Sequence, residues 1–184
     1  MPQVRKPIED ALLAVLADST NGFNAELAAI AVTYKITAFT IDWTEGPTVT
    51  NFGLVELEPD AAETFFSSFP AAALYTSTSM NERRMKFKVF SGQVLAGIDF
   101  WLRYRALKDL QHGGNEWGGT NNYQKLPNAV EDAILQMLDD QKATLRASGY
   151  YWNGDYLCER TKVAIAGDGH EQLMTFTLGF ERHI

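Results

Sequence analysis

The densest gathering of reactive residue types is "QHGGNEWGGTNNYQK", residues 111–125, which sets His112, Glu116 and Trp117 among two Gly-Gly pairs and three Asn. A loop that cradles phosphate follows a strand, carries Lys then Ser or Thr, and opens directly into a helix. Here Lys125 is followed by Leu126 and Pro127, and several residues separate the glycines from the next helical pattern. The segment "GGNEWGG" also lacks the spacing of a dinucleotide fingerprint. His112 and Glu116 are four apart, as two ligands on one helix face would be, but Gly113 and Gly114 between them disfavour a helix. His170 and His183 lie far along the chain, and no His-x-x-x-His or paired-Cys spacing occurs. No metal or cofactor is expected.

Nucleophilic catalysis needs Ser or Cys beside an oriented His and a carboxylate. No Gly-x-Ser-x-Gly occurs, and "FSGQ" (90–93) is only turn-like. Cys158, the sole cysteine, has no neighbouring His to activate it and reads as a small hydrophobe at the start of a strand. The carboxylate pairs Glu56/Glu58 and Asp139/Asp140 have the composition of a glycosidase pair, yet a strand end and a polar helix face explain them as solvated charges. Trp117, Tyr123, Tyr150, Tyr151 and Trp152 flank a helical segment on both sides and would stack a sugar or base, anchor a partner, or simply fill a core. None of this makes a positive case for an enzyme.

The whole-chain balance narrows the partners. With 16 basic against 23 acidic residues, a net charge of −7, duplex binding by the lone subunit is not expected, since grip on DNA needs many cations on phosphates. The patch Arg83, Arg84, Lys86 and Lys88 reads as a solvated strand entry. A single cysteine forbids an internal disulfide, and "MPQVRKPIED" lacks the apolar core of a signal peptide. No run approaches the roughly 18 apolar residues of a membrane helix. A soluble protein of a reducing or neutral compartment is expected, folded as one domain over 1–184.

The elements that would position these residues follow from periodicity. Pro7, Glu9 and Asp10 open a helix with Ile8, Leu12, Val15 and Leu16 on one face, ended by "DSTNG" (18–22). Asn24 is expected to cap a second helix striped by Leu27, Ile30, Ala31 and Tyr34. "ITAFTIDW" (36–43) and "TVTNFGLVEL" (48–57) read as strands. "PDAAETFFSSFP" (59–70) reads as a short helix packing Phe65, Phe66 and Phe69, or a loop, and "AAALYTSTS" (71–79) as a short strand. Residues 85–107 carry the longest β signal: Phe87 and Val89 alternate with Lys86 and Lys88, and Ser91-Gly92 marks a bulge or turn. Further on, Ile98, Phe100, Leu102 and Tyr104 alternate with Asp99, Trp101, Arg103 and Arg105. The second set suits a neighbouring subunit or solvent.

A long flexible loop at about 108–126 leads to "LPNAVEDAILQMLDDQKATLRASG", where Asn128 and Glu131 have capping-box spacing. Val130, Ala133, Ile134, Met137, Leu138 and Leu145 form its stripe, and Gly149 stops it. A hairpin closes the chain: 159–166, the turn "GDG" (167–169), then 171–183 with Met174, Phe176, Leu178 and Phe180 on one side. The pattern predicts an α+β domain, a mainly antiparallel sheet with helices packed on one face.

Over roughly residues 7–181 this arrangement resembles the tail-terminator (tail-completion) and neck proteins of tailed bacteriophages. The resemblance lies in "IEDALLAVLADS", the Phe-Ser-Gly … Ile-Asp-Phe-Trp-Leu-Arg segment, "NAVEDAILQML" and the closing "FTLGFE" strand. The second helix and the Gly/Asn loop depart from the shortest members. It implies a structural virion protein, assembled in the host cytoplasm, forming a homo-oligomeric ring, commonly a hexamer, at the head–tail junction or tail end. The ring would stop tail-tube growth, meet tail-tube and connector proteins, and pass DNA through its lumen without sequence recognition. Related roles are an adaptor or stopper of the neck. The expected interface is Asp99, Trp101, Arg103 and Arg105 with Trp117 as anchor of a docking loop, so that Trp101→Ala with Arg103→Glu would weaken assembly and leave the monomer folded. The alternative is a ligand-binding or hydrolytic domain with residues 111–125 as a lid.

Overall fold

The structure is a computed structural model that describes residues 8–45, 50–76, 93–104, 120–164 and 170–182. Helix α1 (Ile8–Leu16) carries Glu9 and Asp10 in its first turn and buries Ile8, Ala11, Leu12, Val15 and Leu16. The Asp18 carboxylate then accepts the backbone N–H groups of Thr20 and Asn21 at 2.9 and 2.7 Å, which holds its pKa below the usual carboxylate range. Gly22 follows in a space where a Cβ would meet the Asp18 carbonyl at 2.2 Å, so the turn admits no side chain. Gly22, not Asn24, is the N-cap of α2 (Phe23–Tyr34).

Asn24 serves a different purpose. Its carboxamide bonds both backbone groups of Ile41, accepting from the N–H at 2.9 Å and donating to the C=O at 2.8 Å. Residues 36–43, expected as a strand, form no ladder. They keep a strand's alternation, with Phe39, Ile41 and Trp43 buried and Thr40 and Asp42 exposed. Asn51 supports them from the other side, accepting from Asp42 N–H at 2.9 Å and donating to Thr40 O at 3.0 Å. Side-chain amides thus satisfy backbone groups that a neighbouring strand otherwise would. The second expected strand is reduced to β1 (Phe52–Gly53), and residues 48–49 lie outside the described residues.

The sheet has the order β1-β2-β3-β5-β4, with β2 (Ala71–Tyr75), β3 (Gln93–Tyr104), β4 (Tyr150–Ala164) and β5 (His170–Arg182). Among the described residues only the β1/β2 pairing is parallel. The closing hairpin is longer than periodicity indicated, because β4 starts at Tyr150 and places Cys158 mid-strand. A register shift between Trp152 and Tyr156 had masked the alternation there. The turn 167–169, Lys86 to Val89 and Ser91-Gly92 lie outside the described residues.

One sheet face carries the core expected of it: Ile98, Phe100 and Leu102 from β3, and Met174, Phe176, Leu178 and Phe180 from β5. α1, α2, α4 (Thr120–Asp140) and α5 (Lys142–Ala147) cover that face. Phe23 of α2 stacks on Phe100 at 4.9 Å and meets Trp43 edge-on at 5.7 Å, contacts worth about 1 kcal/mol each beyond burial. The fold is α+β with a mostly antiparallel sheet.

The strong helix departs from expectation at both ends. α4 begins at Thr120 and runs through Pro127, so residues 120–125 are helix rather than loop. Asn128 and Glu131 are therefore interior, and no capping box forms. The predicted stripe is buried throughout, but the helix breaks at Gln141 and resumes as α5. Gly149, at φ +91°, supplies the left-handed turn into β4.

Candidate functional site

Strand alternation puts Asp99, Trp101 and Arg103 on the sheet face away from the large helices. That face is not open. The segment between β1 and β2, which includes α3 (Ala62–Phe65), lies over it and builds a second core from Ala62, Phe66, Ala71, Ala73, Trp101 and Leu173. Trp101 is fully buried, its ring centroid 5.5 Å from that of Phe66, and its indole N–H points at the Pro59 carbonyl 3.3 Å away. Arg103 stands opposite Glu171 in register, and its Nε donates to the Glu171 carboxylate at 2.8 Å. Its guanidinium carbon sits 3.5 Å from the centroid of the Phe69 ring, with Glu63 at 3.6 Å from Nη2. Asp99 is buried and accepts the Tyr75 hydroxyl at 3.0 Å.

These three residues were expected to meet a neighbour or solvent; within the subunit Asp99 and Trp101 are buried, and Arg103 keeps 26% of its side chain exposed. The missed signal was the trio Phe65, Phe66 and Phe69, whose partner had to be a residue on the polar-looking side of β3. Arg105, Trp117 and residues 108–119 of the expected loop lie outside the described residues.

A second cluster joins α4 to the outer strand β4, and sequence reading missed it. Arg160 donates to Asn128 Oδ1 at 2.8 Å and to Glu131 Oε2 at 2.6 Å. Tyr156 donates its hydroxyl to the other Glu131 oxygen at 3.1 Å, and Tyr34 of α2 donates to Asp132 at 2.6 Å. The bond to Asp132 raises the Tyr34 pKa, and burial followed by the bond to Glu131 raises that of Tyr156. Burial, reinforced by the Glu131 charge, pushes the Cys158 thiol up to about 11 against the pull of Arg160. At neutral pH the hydroxyls and thiol all stay protonated. Such a network clamps helix to strand and holds the sulfur unreactive.

The remaining candidates separate. Asp139 pairs with Lys142 at 2.8 Å, and Asp140 accepts the Gln136 amide at 3.1 Å, both on the surface. Glu56 and Glu58 are exposed. Tyr150 and Trp152 pack in the main core against Phe180, whereas Tyr151 faces outward under Arg146, 5.6 Å from its ring. Residues 150–152 therefore do not form a single stacking platform. His112 and His183 lie outside the described residues, and of His170 only the backbone is described. Among the described residues no group of three or more His, Cys, Asp or Glu is arranged to hold a metal ion. No helix among them is long and apolar enough to cross a membrane.

The surface with the least ordinary chemistry belongs to α2. Phe23, Leu27 and Ala31 face the core, yet Ala28, Ala29 and Val32 on the opposite side are exposed, Val32 at 78%. Ala25 extends this line, giving the spacing i, i+3, i+4, i+7 of a single helix face. The chain matches no known protein-family model and no curated protein sequence.

Proposed function

We propose that this chain is a structural assembly subunit, a ring-forming protein of the tail end or head–tail junction of a tailed bacteriophage. The outer face of α2 carries the reading. A helix that is apolar on both sides is one that packs on both sides, and the four outward residues Ala25, Ala28, Ala29 and Val32 present a flat, side-chain-poor surface to a second copy. A head-to-tail ring needs a second, unlike surface on each subunit. Strand β4 offers one at the far edge of the sheet, where Tyr151 and Tyr156 are, among the described residues, the other large exposed hydrophobics.

The virion context rests on the resemblance in element order: opening helices, long central strand, strong helix, terminal hairpin. In this reading the ring is six-fold, meets tail-tube and connector proteins, and passes DNA through an acidic lumen that repels its phosphates.

Mass photometry and negative-stain imaging across a concentration series test it. Rings or concentration-dependent oligomers are expected, and Val32→Glu should convert them to folded monomers. A wild-type chain that stays monomeric at high concentration would sink the ring; intact rings of Val32→Glu would remove α2 from the contact.

A further inference from the structure

The sequence contains two Asn-Gly steps, Asn21-Gly22 and Asn153-Gly154, and the fold treats them oppositely. In an Asn-Gly step the glycine nitrogen can attack the preceding side-chain amide, because no Cβ obstructs the approach. The N–Cγ bond forms, the Cγ–Nδ2 bond breaks, and ammonia leaves with the proton from the glycine nitrogen. Water then opens the resulting succinimide at either carbonyl, giving aspartate or isoaspartate. The reaction needs a free glycine N–H, room for the backbone to turn, and a polarised amide carbonyl.

At Asn21-Gly22 the first two are denied. The Gly22 N–H is bonded to the Asp18 carbonyl at 3.0 Å, and Gly22 is buried as the N-cap of α2. A Cβ there would meet Leu16 O at 2.6 Å and Asp18 N at 2.8 Å, so the peptide cannot pivot without breaking the turn. The Asn21 N–H is itself tied to the Asp18 carboxylate at 2.7 Å.

At Asn153-Gly154 the backbone has room to turn and the amide carbonyl is polarised. Residues 153–155 fall in the register shift between Trp152 and Tyr156 and have no Cα partner on β5. Both residues are exposed, Gly154 sits at φ +96°, and nothing lies within 4 Å of where its Cβ would be. The Asp155 N–H bonds Asn153 Oδ1 at 3.1 Å. That donor polarises the carbonyl under attack and is placed for the oxyanion that forms on it. The leaving Nδ2 makes a long, 3.5 Å contact to Glu181.

We propose that Asn153 is a site of spontaneous, backbone-assisted deamidation and that Asn21 is protected from it by the fold. Conversion replaces an amide donor facing Glu181 with a carboxylate, and the isoaspartyl product lengthens the backbone of the outer strand by one methylene. Its test is peptide mass mapping of the native chain during prolonged incubation at mildly alkaline pH, with isoaspartate scored separately. The expected result is loss of the Asn153 amide to a mixture of both products while Asn21 keeps its own; in denaturant both steps convert. Asn153→Gln, whose longer side chain would need a larger ring, should leave the native chain unmodified. Native Asn153 that outlasts or merely equals Asn21 would overturn the assignment.

Discussion

Asn24 and Ile41 are joined as two paired strands would be, amide to amide, although one partner is a side chain on a helix. Asn24 Oδ1 accepts from Ile41 N–H at 2.9 Å and Nδ2 donates to Ile41 O at 2.8 Å. The pair ties α2 to an extended segment that buries Phe39, Ile41 and Trp43 without a ladder. Asn24→Ala should cost about 2–4 kcal/mol, because two part-buried backbone groups lose their partner at once. Asn24→Asp keeps the acceptor and sets a charge against the Ile41 carbonyl, so it should not restore stability. Denaturant titration of both variants checks this; a loss below about 0.5 kcal/mol would mean water replaces the amide.

Trp101 and Phe66 bind the connection between β1 and β2 to the sheet. Trp101→Ala should destabilise the isolated subunit by about 3–5 kcal/mol. Arg103→Glu adds a like charge against Glu171, whose side chain is 3% exposed. The double variant is thus expected to unfold more readily rather than to weaken assembly while leaving the monomer folded. Circular dichroism in denaturant distinguishes the two: an unchanged midpoint would return this face to the surface.

The Tyr75 ring lies across Gly97, where a Cβ would meet it at 2.4 Å, and its hydroxyl reaches Asp99 at 3.0 Å. Gly97→Ala should push the ring aside and cost on the order of 1–3 kcal/mol. In a Tyr75→Ala background the same change should be nearly neutral. Equal costs in both backgrounds, measured as a double-mutant cycle, would separate the two residues energetically.

Cys158 gives a pH signature. Its thiol is raised in the folded state to about 11 from an ordinary value of 9.0, so the unfolded chain loses this proton first. Its contribution to stability is present in full below the unfolded pKa and declines as pH climbs from there through the folded one. Alkylation at pH 8 should accordingly be much slower in native than in denatured protein. Arg160→Ala removes the cation that favours the thiolate and should slow labelling further; if it accelerates labelling, Arg160 shields the sulfur by bulk instead.

Local chemistry was legible wherever one residue's neighbours along the chain decide its state. The α1 and α4 stripes, the "DSTNG" turn and the inward set Met174, Phe176, Leu178 and Phe180 all lie where periodicity set them. Period and capping depend on atoms a few residues apart, which a sequence displays. Pairing across long separations is not displayed. Asn24 looked like a cap because capping residues and amide clamps are the same residue types; only the nearness of Ile41 assigned its carboxamide. Asn128 and Glu131 had capping spacing, and Arg160, 29 residues beyond Glu131, claimed both.

The same distinction governs the functional surface. Alternation alone determined that Asp99, Trp101 and Arg103 share a side of β3. Whether that side is wet, buried or shared with a neighbour depends on what the chain folds back over it. Repeat length and turn chemistry were enough for the helical stripes, the antiparallel hairpin and the α+β class. Tertiary structure alone decided that Phe66 closes over Trp101, that α2 leaves Val32 bare, and that one Asn-Gly step is locked while the other stands open. Each of these is a matter of which surfaces meet, and burial is a property of the pair rather than of either residue.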